Sequence, residues 1–386
     1  MLHRLCKPLK SHSFFLFGAR GVGKTTLLEE SFPKSESILW FDLLDNLVYS
    51  ELLSKPEIFE QRILARKDKL EWVVVDEVQK IPQILNTIQK LIQKNKFKFA
   101  LTGSSARKLR KEGANLLGGR ALLNYIHPLT CFELGDLFDL GEALNWGSLP
   151  YLLNVDNELS KKEILKSYLA VYLRTEIKEE QIVRQLDPFV RFLEVAAQHN
   201  GKVVNAAKIG RESGVETSSI LRYFEILSDT LLGFYLEPYH TSVRKIQTAK
   251  SKFYFFDIGI KRALENSLDS LVVPRTYAFG NNFEHFFILE CIRLNDYYRK
   301  NYRFFYALTK DNVEIDLIVQ FPNRSIWTIK IKSSTLVDVA DFNYALTFAK
   351  DLKSKKFIVA SLEGESRKAQ DIEIHPWREV LKMLFS

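Results

Sequence analysis

The sequence has little cysteine: three residues in 386, which stand far apart at Cys6, Cys131 and Cys291. Dispersed cysteines form neither a disulfide framework nor a zinc-binding spacing, which favours a reducing compartment. The seven histidines are equally scattered and include no HExxH pair. Also lacking is any run of about eighteen apolar residues, the length that a membrane-spanning helix needs. We therefore predict a soluble, cytoplasmic protein with no membrane partner.

The composition is otherwise that of an ordinary globular chain. Hydrophobic residues make up 46% and charged residues 26% of the sequence, as is typical of soluble domains. A length of 386 residues is enough for two or three domains with real cores. The net charge of +8 only mildly favours an anionic partner such as nucleic acid, because many soluble enzymes are this basic.

A glycine-rich turn follows the apolar run at residues 14–17 and leads into a segment of good helix formers. The spacing of Gly18, Gly23, Lys24 and Thr25 fits the phosphate-binding loop pattern at every fixed position. Backbone N–H groups of such a loop surround phosphate oxygens, and the following helix turns its positive end toward them. The alternative is a strand-to-helix turn that merely needs glycine. We predict that a nucleotide is bound by Gly18, Ala19, Arg20, Gly21, Val22, Gly23, Lys24, Thr25 and Thr26.

A second motif, Val73-Val74-Val75-Asp76-Glu77, places two carboxylates directly after an apolar strand. We expect Asp76 and the Thr25 hydroxyl to bind Mg²⁺, while Lys24 neutralises the β- and γ-phosphates of ATP. Glu77 is expected near the γ-phosphate, where it orients and deprotonates the attacking water. The alternative is a strand that simply ends in a solvated loop.

The first part of the chain alternates short apolar runs with helical periodicity, which is typical of a parallel α/β sheet. A helix is predicted over residues 82–94, where five apolar side chains share one face. The predicted strands lie at residues 14–17, 38–41, 72–75, 97–101 and 121–126.

Small polar residues end the fourth strand, in Leu101-Thr102-Gly103-Ser104-Ser105. They are expected to sense the γ-phosphate, with Thr102 in the nucleotide site, or to hold the attacking water. Alternatively, Ser104 or Ser105 caps a helix at 106–111, whose basic residues at 107, 108, 110 and 111 form a solvated face. Further along, Arg120 is the candidate arginine finger, acting in cis or across a subunit contact.

Together these motifs resemble one group of prokaryotic AAA-type ATPases, whose members carry a C-terminal domain of unknown function. The resemblance rests on residues 18–25, 75–80, 101–109, 115–120 and 127–129, and covers nearly the whole chain. It implies an α/β P-loop NTPase domain, placed here at residues 1–155. In the implied sheet, the strand at 97–101 lies between those at 14–17 and 72–75. Roles for Asp76 and Glu77 like those above are also implied.

Residues 156–270 are predicted to form a helical domain. A winged helix is favoured by two predicted helices at 204–213 and 218–227, which are joined by Gly214-Val215. Predicted strands at 234–236 and 253–256 follow them, and the resemblance agrees with this interpretation. Such a module either inserts its second helix into the major groove of DNA or serves as a connector or protein-binding element. The basic residues expected between the wing strands are Arg244, Lys245, Lys250 and Lys252.

Residues 271–386 are predicted to contain a helix that begins near Asn282, a second helix over 339–350, and strands at 302–307, 314–319, 325–331 and 356–361. They resemble the framework of PD-(D/E)XK nucleases, a restriction-endonuclease-like α/β fold, through Glu284, Asp316 and Lys330-Ile331-Lys332. In that framework the position of Lys330 holds a metal-binding glutamate. Lys330 and Lys332 share a strand face and are expected to point toward Asp316, where a positive charge repels Mg²⁺. Lys330 is expected to pair with Asp316 or Glu314. We predict a catalytically inert domain, although Glu284 and Glu314 leave residual metal binding open.

The predicted protein is thus an Mg²⁺-dependent ATPase of the AAA type that acts as a molecular switch or motor. DNA is one candidate partner, and a protein partner in a stress or defence system is the alternative. An active nuclease is the least favoured function. The sequence does not specify the oligomeric state.

Overall fold

The structure is a computed structural model that describes residues 3–95, 97–104, 116–173, 177, 183, 185–240 and 250–386. The chain divides into two compact units. The first comprises Met1–Leu129, Leu149–Tyr151 and Asp229–Leu232; the second comprises Thr130–Ser148, Leu152–Ser228 and Gly233–Ser386. The division at residues 155 and 270 stays a prediction.

The first unit is built on a five-stranded sheet in which every neighbouring pair is parallel. All five predicted strands are confirmed, with small shifts at their ends. The strand order is β2-β3-β4-β1-β5, so β4 lies between β1 and β3 as the resemblance implied. The strands are β1 Ser13–Phe17, β2 Ile38–Asp42, β3 Trp72–Asp76, β4 Lys98–Gly103 and β5 Ala121–Tyr125.

Helices pack against this sheet through apolar faces. The predicted stripe on the fourth helix is buried together with inward-facing residues of β1, β3 and β4, such as Phe15, Val75 and Phe99. Two helices between β2 and β3 were not predicted; they are short, and the first follows the capping residue Asp45. The helices are α1 Lys24–Ser31, α2 Asn46–Ser54, α3 Glu57–Leu64 and α4 Ile84–Asn95.

The parallel arrangement brings three strand ends to one edge of the sheet. Phe17, the last residue of β1, is paired with Gly103, the last residue of β4. Asp76 ends β3, and Val75 is paired with Leu101 of β4. The phosphate-loop motif, the two carboxylates and the Thr102 segment therefore start from adjacent strands.

The second unit contains an eight-stranded mixed sheet of order β12-β13-β11-β10-β9-β8-β6-β7. The predicted strands from 234 to 361 are confirmed. The last two strands and the final helix were not predicted. The strands are β6 Gly233–Pro238, β7 Lys252–Phe255, β8 Arg303–Leu308, β9 Glu314–Gln320, β10 Ile326–Ile331, β11 Lys356–Ser361, β12 Arg367–Ala369 and β13 Ile372–Pro376.

The helices of the second unit include the two predicted for a winged helix, which here are α9 and α10, joined at Gly214 with a φ of 65°. The helix predicted to begin near Asn282 is the long α12, which begins five residues earlier. The helices are α5 Cys131–Leu134, α6 Leu140–Trp146, α7 Glu158–Tyr172, α8 Leu186–Gln198, α9 Ala206–Ser213, α10 Thr217–Asp229, α11 Ile258–Leu264, α12 Tyr277–Tyr298, α13 Asn343–Asp351 and α14 Trp377–Phe385.

The two strands expected to form a wing pair with each other in antiparallel fashion, but they are also part of the large sheet. Glu237 and Pro238 of β6 pair in parallel with Phe305 and Tyr306 of β8. Arg244 and Lys245 lie outside the described residues, as do Ser105 and the helix predicted at 106–111. The winged helix stays a prediction. Among the helices described, none has the length and apolar character needed to cross a bilayer.

Candidate functional site

The loop between β1 and α1 has the backbone shape of an anion-binding turn. Gly23 precedes α1 with φ 91° and ψ 29°, a left-handed conformation that glycine adopts without a steric penalty. Glycine has no side chain that could cap the helix, so the N–H groups of the first turn remain available for another acceptor. A phosphate at this end of α1 is also favoured by the helix dipole.

Lys24 begins α1, and its side chain folds back over the loop. Its amine Nζ donates to the carbonyl oxygens of Gly18 at 2.9 Å and Ala19 at 3.1 Å. The same nitrogen lies 3.6 Å from Glu77 Oε1. Lys24 is 6% exposed, so a full positive charge sits in a nearly buried position against the loop.

Asp76 is the buried carboxylate of the site, with an exposure of 1%. Its Oδ2 accepts a hydrogen bond of 2.7 Å from Thr25 Oγ1, and its Oδ1 accepts one from Thr102 Oγ1. Burial raises the pKa of Asp76 above its usual value, and the two hydroxyl hydrogen bonds offset only part of that rise. A cation beside Asp76 would therefore stabilise its charged form.

Glu77 has a strained backbone, with φ 58° and ψ 48°. A residue other than glycine in this region costs about 1–3 kcal/mol, and such outliers concentrate at functional sites. The amide N–H of Glu77 donates to Thr102 Oγ1 at 2.8 Å, which ties the turn to β4. Its carboxylate contacts Lys24 through Oε1 and Ser104 through Oε2, the latter at 3.3 Å. The left-handed turn thus directs Glu77 toward the loop lysine.

The side chains that the structure brings together are Lys24, Thr25, Asp76, Glu77 and Thr102. Their hydroxyl and carboxylate oxygens are the donors that Mg²⁺ prefers, and the lysine and helix terminus suit phosphate oxygens. The residues present therefore fit an Mg²⁺-bound nucleoside triphosphate. Thr25 and Thr26 are exposed at the start of α1, as are Arg20 and Gly21 in the loop.

Arg120 is not part of this group. Its Nη1 donates to the carbonyl oxygens of Leu117 and Gly118, both at 3.3 Å. With the Gln93 amide oxygen turned toward the guanidinium, Gln93 accepts from Arg120 at 3.1 and 2.6 Å. Among the described contacts of Arg120, none reaches the loop, and its role as an arginine finger stays a prediction.

Two residues near the site were not singled out from the sequence. Arg4 donates to the carbonyl oxygen of Val22 in the loop at 2.8 Å and to that of His127 at 2.6 Å. Gln79 donates to both Glu77 and Ser104. Arg4 lies outside the phosphate-loop motif in the sequence, so no local pattern identifies it. Gln79 follows Glu77 by two residues, so the turn after the carboxylates is where it could have been sought.

A second group of carboxylates lies in the second unit, around Lys252 of β7. Lys252 is 4% exposed, and its amine lies 2.6 Å from Glu314 and 3.3 Å from Glu284. Tyr254 donates to the same Glu284 oxygen at 2.8 Å. Burial acts to lower the pKa of Lys252, but the nearby carboxylates outweigh it and raise that pKa above its usual value. Lys252 was expected between the wing strands; it is instead the first residue of β7, and its amine is engaged by these carboxylates.

Asp316, the next carboxylate along β9, also pairs with a lysine. Lys330 donates to its Oδ1, and the backbone N–H of Ile331 donates to its Oδ2 at 2.7 Å. The predicted pairing of Lys330 with Asp316 is confirmed. Lys332 was expected on the same face; instead it is exposed beyond the end of β10, with its amine 5.8 Å from the centre of the Phe342 ring.

Comparison with protein families agrees with the architecture of the first unit. Residues 10–135 match the family model described as AAA domain. The match coincides with the phosphate loop, the Asp76-Glu77 strand end and the five-stranded parallel sheet. The parallel-sheet domain of the first unit is therefore similar to AAA-type P-loop domains. Residues 137–270 and 279–380 match two models described as Domain of unknown function, DUF8612 and DUF4143.

The relatives that match about four fifths of this chain are described as uncharacterized and do not identify an activity. An uncharacterized protein of Mycobacterium tuberculosis is 25% identical over 316 residues, which is 80% of this chain and 68% of that protein. An uncharacterized protein of Methanocaldococcus jannaschii is 24% identical over 336 residues, which is 81% of this chain and 73% of that protein.

Solved structures overlap only weakly. Domain III of the replication initiation protein DnaA from Thermotoga maritima has 19% identity and a TM-score of 0.26, covering 44% of this chain and 80% of that one. Can2 from Sulfobacillus thermosulfidooxidans, solved with cyclic tetra-adenylate, has 12% identity and a TM-score of 0.20, covering 97% and 98%. Overlaps this low carry no argument about function.

Proposed function

We propose that this protein is an Mg²⁺-dependent ATPase in which ATP binds at the loop between β1 and α1. The observation that carries the proposal is the contact of loop and strand-end residues. Thr25 bonds to Asp76 at 2.7 Å, and Lys24 lies 3.6 Å from Glu77. A loop that only turned a strand into a helix would not need this meeting of a buried cation, a hydroxyl and two carboxylates.

Each residue of the site has its own role in this proposal. Lys24 neutralises charge on the β- and γ-phosphates, and the N–H groups from Gly18 to Thr26 bind phosphate oxygens. Thr25 and Asp76 hold Mg²⁺, which supplies electrostatic stabilisation to the transferring phosphoryl group when bound. Glu77 accepts a proton from the attacking water. Thr102 is hydrogen-bonded to both Asp76 and the Glu77 backbone, and it therefore fixes the positions of the two carboxylates relative to each other.

The test is the substitution Glu77→Gln, which keeps the size of the side chain and removes its basicity. ATP binding should persist, while kcat should fall about a hundred- to a thousandfold, the effect of losing a catalytic interaction of about 3–4 kcal/mol. Steady-state turnover and equilibrium binding of a fluorescent ATP analogue measure the two quantities. Hydrolysis at the wild-type rate would show that Glu77 is not the base.

The second unit is proposed to act as the element that ATP controls, in a switch or motor made of a winged helix and a nuclease-like region that does not cut. Lys252 and Lys330 support the inert state, because each holds a carboxylate where a nuclease needs a metal. The test for cutting is Mg²⁺- or Mn²⁺-dependent cleavage of DNA that Asp316→Ala abolishes. Such cleavage would overturn this part of the proposal.

The partner is proposed to be DNA or another protein, in a cytoplasmic setting. These alternatives are separated by turnover measured with and without single- and double-stranded DNA at several salt concentrations. Stimulation that weakens as salt rises indicates DNA contact through phosphates. Turnover indifferent to DNA favours a protein partner. The engagement of Lys252 with Glu284 and Glu314 removes one phosphate contact from the DNA alternative.

A further inference from the structure

Gln79 lies in the short 3₁₀ turn Val78–Lys80 that follows Glu77, and it is 2% exposed. Its amide nitrogen Nε2 donates to Glu77 Oε2 and, at 2.9 Å, to Ser104 Oγ. One buried amide therefore connects the end of β3 to the end of β4. Both of its hydrogen bonds go to side chains at the nucleotide site.

The other end of this amide is unpaired. Gln79 Oε1 is buried and accepts no hydrogen bond from any residue that the structure describes. A buried polar atom without a partner costs about 1–3 kcal/mol, and native proteins leave few of them. The oxygen lies against Gly103, where a Cβ atom would stand only 2.9 Å from it. Position 103 therefore suits glycine. The Gln79 amide, with its unpaired oxygen, lowers the stability of the folded state.

The amide gives the two oxygens of Glu77 different surroundings. Oε2 accepts from Gln79 and, at 3.3 Å, from Ser104, while Oε1 lies 3.6 Å from the amine of Lys24. A carboxylate held at one oxygen keeps the other in a fixed direction. Here the second oxygen points toward the lysine that contacts the terminal phosphates in the proposed function. A proton acceptor is effective only in the correct position.

We propose that Gln79 is a positioning residue of the ATPase site, which fixes Glu77 through Oε2 so that Oε1 faces the attacking water. The inference rests on the proposed function, because it requires Glu77 to be the base. Gln79 itself touches neither ATP nor water in this scheme. Its effect on turnover must therefore pass through Glu77, and that dependence can be measured.

The experiment combines Gln79→Met with Glu77→Gln in a double-mutant cycle on the full chain. Alone, Gln79→Met should lower kcat about tenfold to a hundredfold, the effect of losing a hydrogen bond to a charged group, with little change in KM or in ATP binding. In the Glu77→Gln background, single-turnover hydrolysis should show no further loss from Gln79→Met, since the group that it positions is already removed. The exposed residue four positions later gives a matched control, Gln83→Met, which should leave kcat unchanged.

Three results would overturn the proposal. They are an unchanged kcat in Gln79→Met, an equal loss from Gln79→Met in both backgrounds, and a parallel loss of ATP binding, which would indicate a purely structural role. If Gln79→Met fails to fold, Gln79→Leu also removes the donor without adding a charge, and the same cycle applies to it. By contrast, wild-type turnover in Glu77→Gln alone would refute the base assignment of the proposed function.

Discussion

Among the residues that the structure describes, the carboxylates of the candidate site and those around Lys252 and Lys330 differ in what neutralises them. In the first unit, Asp76 is held by the hydroxyls of Thr25 and Thr102. In the second unit, Glu284 and Glu314 share the amine of Lys252, and Asp316 pairs with Lys330. The direct hydrogen-bond partners of Asp76 are therefore neutral, whereas the second group has cations built into the chain.

This difference decides which group can use a metal. A hydroxyl can bind a cation together with the carboxylate, so Thr25 and Asp76 are able to share Mg²⁺. A lysine amine occupies the same space with its own charge, and displacing it would leave a buried ion unpaired. We infer that the first group is arranged for an exchangeable cation and that the second stabilises its fold with permanent ones.

The largest expected effect comes from removing the built-in cation, with Lys252→Met. Glu284 and Glu314, which are half-buried, then lie together without their buried cation, and breaking such an ion pair costs up to about 3–5 kcal/mol of stability. Hydrogen exchange should accelerate in peptides from β7 and β9, because Lys252 lies on the first of these strands and its partner Glu314 on the second. Urea unfolding of the full chain provides the free energy.

Lys250→Met is the matched control, since Lys250 is exposed two residues earlier in the chain. It should change stability by less than about 0.5 kcal/mol, as exposed substitutions do. Excess Mg²⁺ should slow exchange in β7 and β9 of Lys252→Met but not of the wild type. Equal stability of the two variants would show that Lys252 does not replace a cation.

The next effect is on ATP binding, with Lys24→Ala. The amine lies at the loop with 6% exposure, so the variant leaves phosphate charge unpaired in a nearly buried position. Truncating such a charge pair costs about 3 kcal/mol, which weakens ATP binding about a hundredfold. Equilibrium titration with a fluorescent ATP analogue measures the loss. Lys34→Ala, an exposed lysine just after α1, should bind ATP as the wild type does.

The first group could be predicted from the sequence because its residues belong to two short motifs on apolar strands. Buried β-branched runs such as 73–75 made the strands evident, and parallel pairing then brought their ends together. The left-handed turn at Glu77 was not predictable, since only the packed structure imposes that conformation.

The second group could be predicted only in part. The Lys330–Asp316 pair was expected because the two residues lie on consecutive strands of one framework. Lys252 was expected between the wing strands, and its pairing was not predicted, since its partners Glu284 and Glu314 follow it by 32 and 62 residues. Contacts over such separations leave no local pattern, and a lysine in a short strand segment looks exposed until the sheet is assembled.

The smallest expected effect is the pH dependence that arises at Asp76 of the first group. Burial raises the pKa of Asp76 above its unfolded value, so in the window between the two values the native state holds a proton that the unfolded chain lacks. Stability then falls as pH rises through that window and is not regained above it. Asp76→Asn removes this titration. The stability of the wild type relative to Asp76→Asn should therefore increase as pH is lowered from neutral, measured by urea unfolding without nucleotide.

The same unfolding measurement in the presence of Mg²⁺ and ATP tests the role of Asp76 more directly, because Mg²⁺ binds the charged form of Asp76. The stabilisation that Mg²⁺ and ATP give to the wild type should weaken as pH falls, since protonation of Asp76 then competes with the cation. In Asp76→Asn this competition is absent, so the Mg²⁺-dependent part of the stabilisation should be small and flat with pH. The contrary result is that the free energy of unfolding changes with pH in the same way for the two proteins, both with and without Mg²⁺ and ATP. Asp76 would then be held by its hydroxyl partners as permanently as Glu314 is held by Lys252. The distinction between an exchangeable and a built-in cation would then be lost.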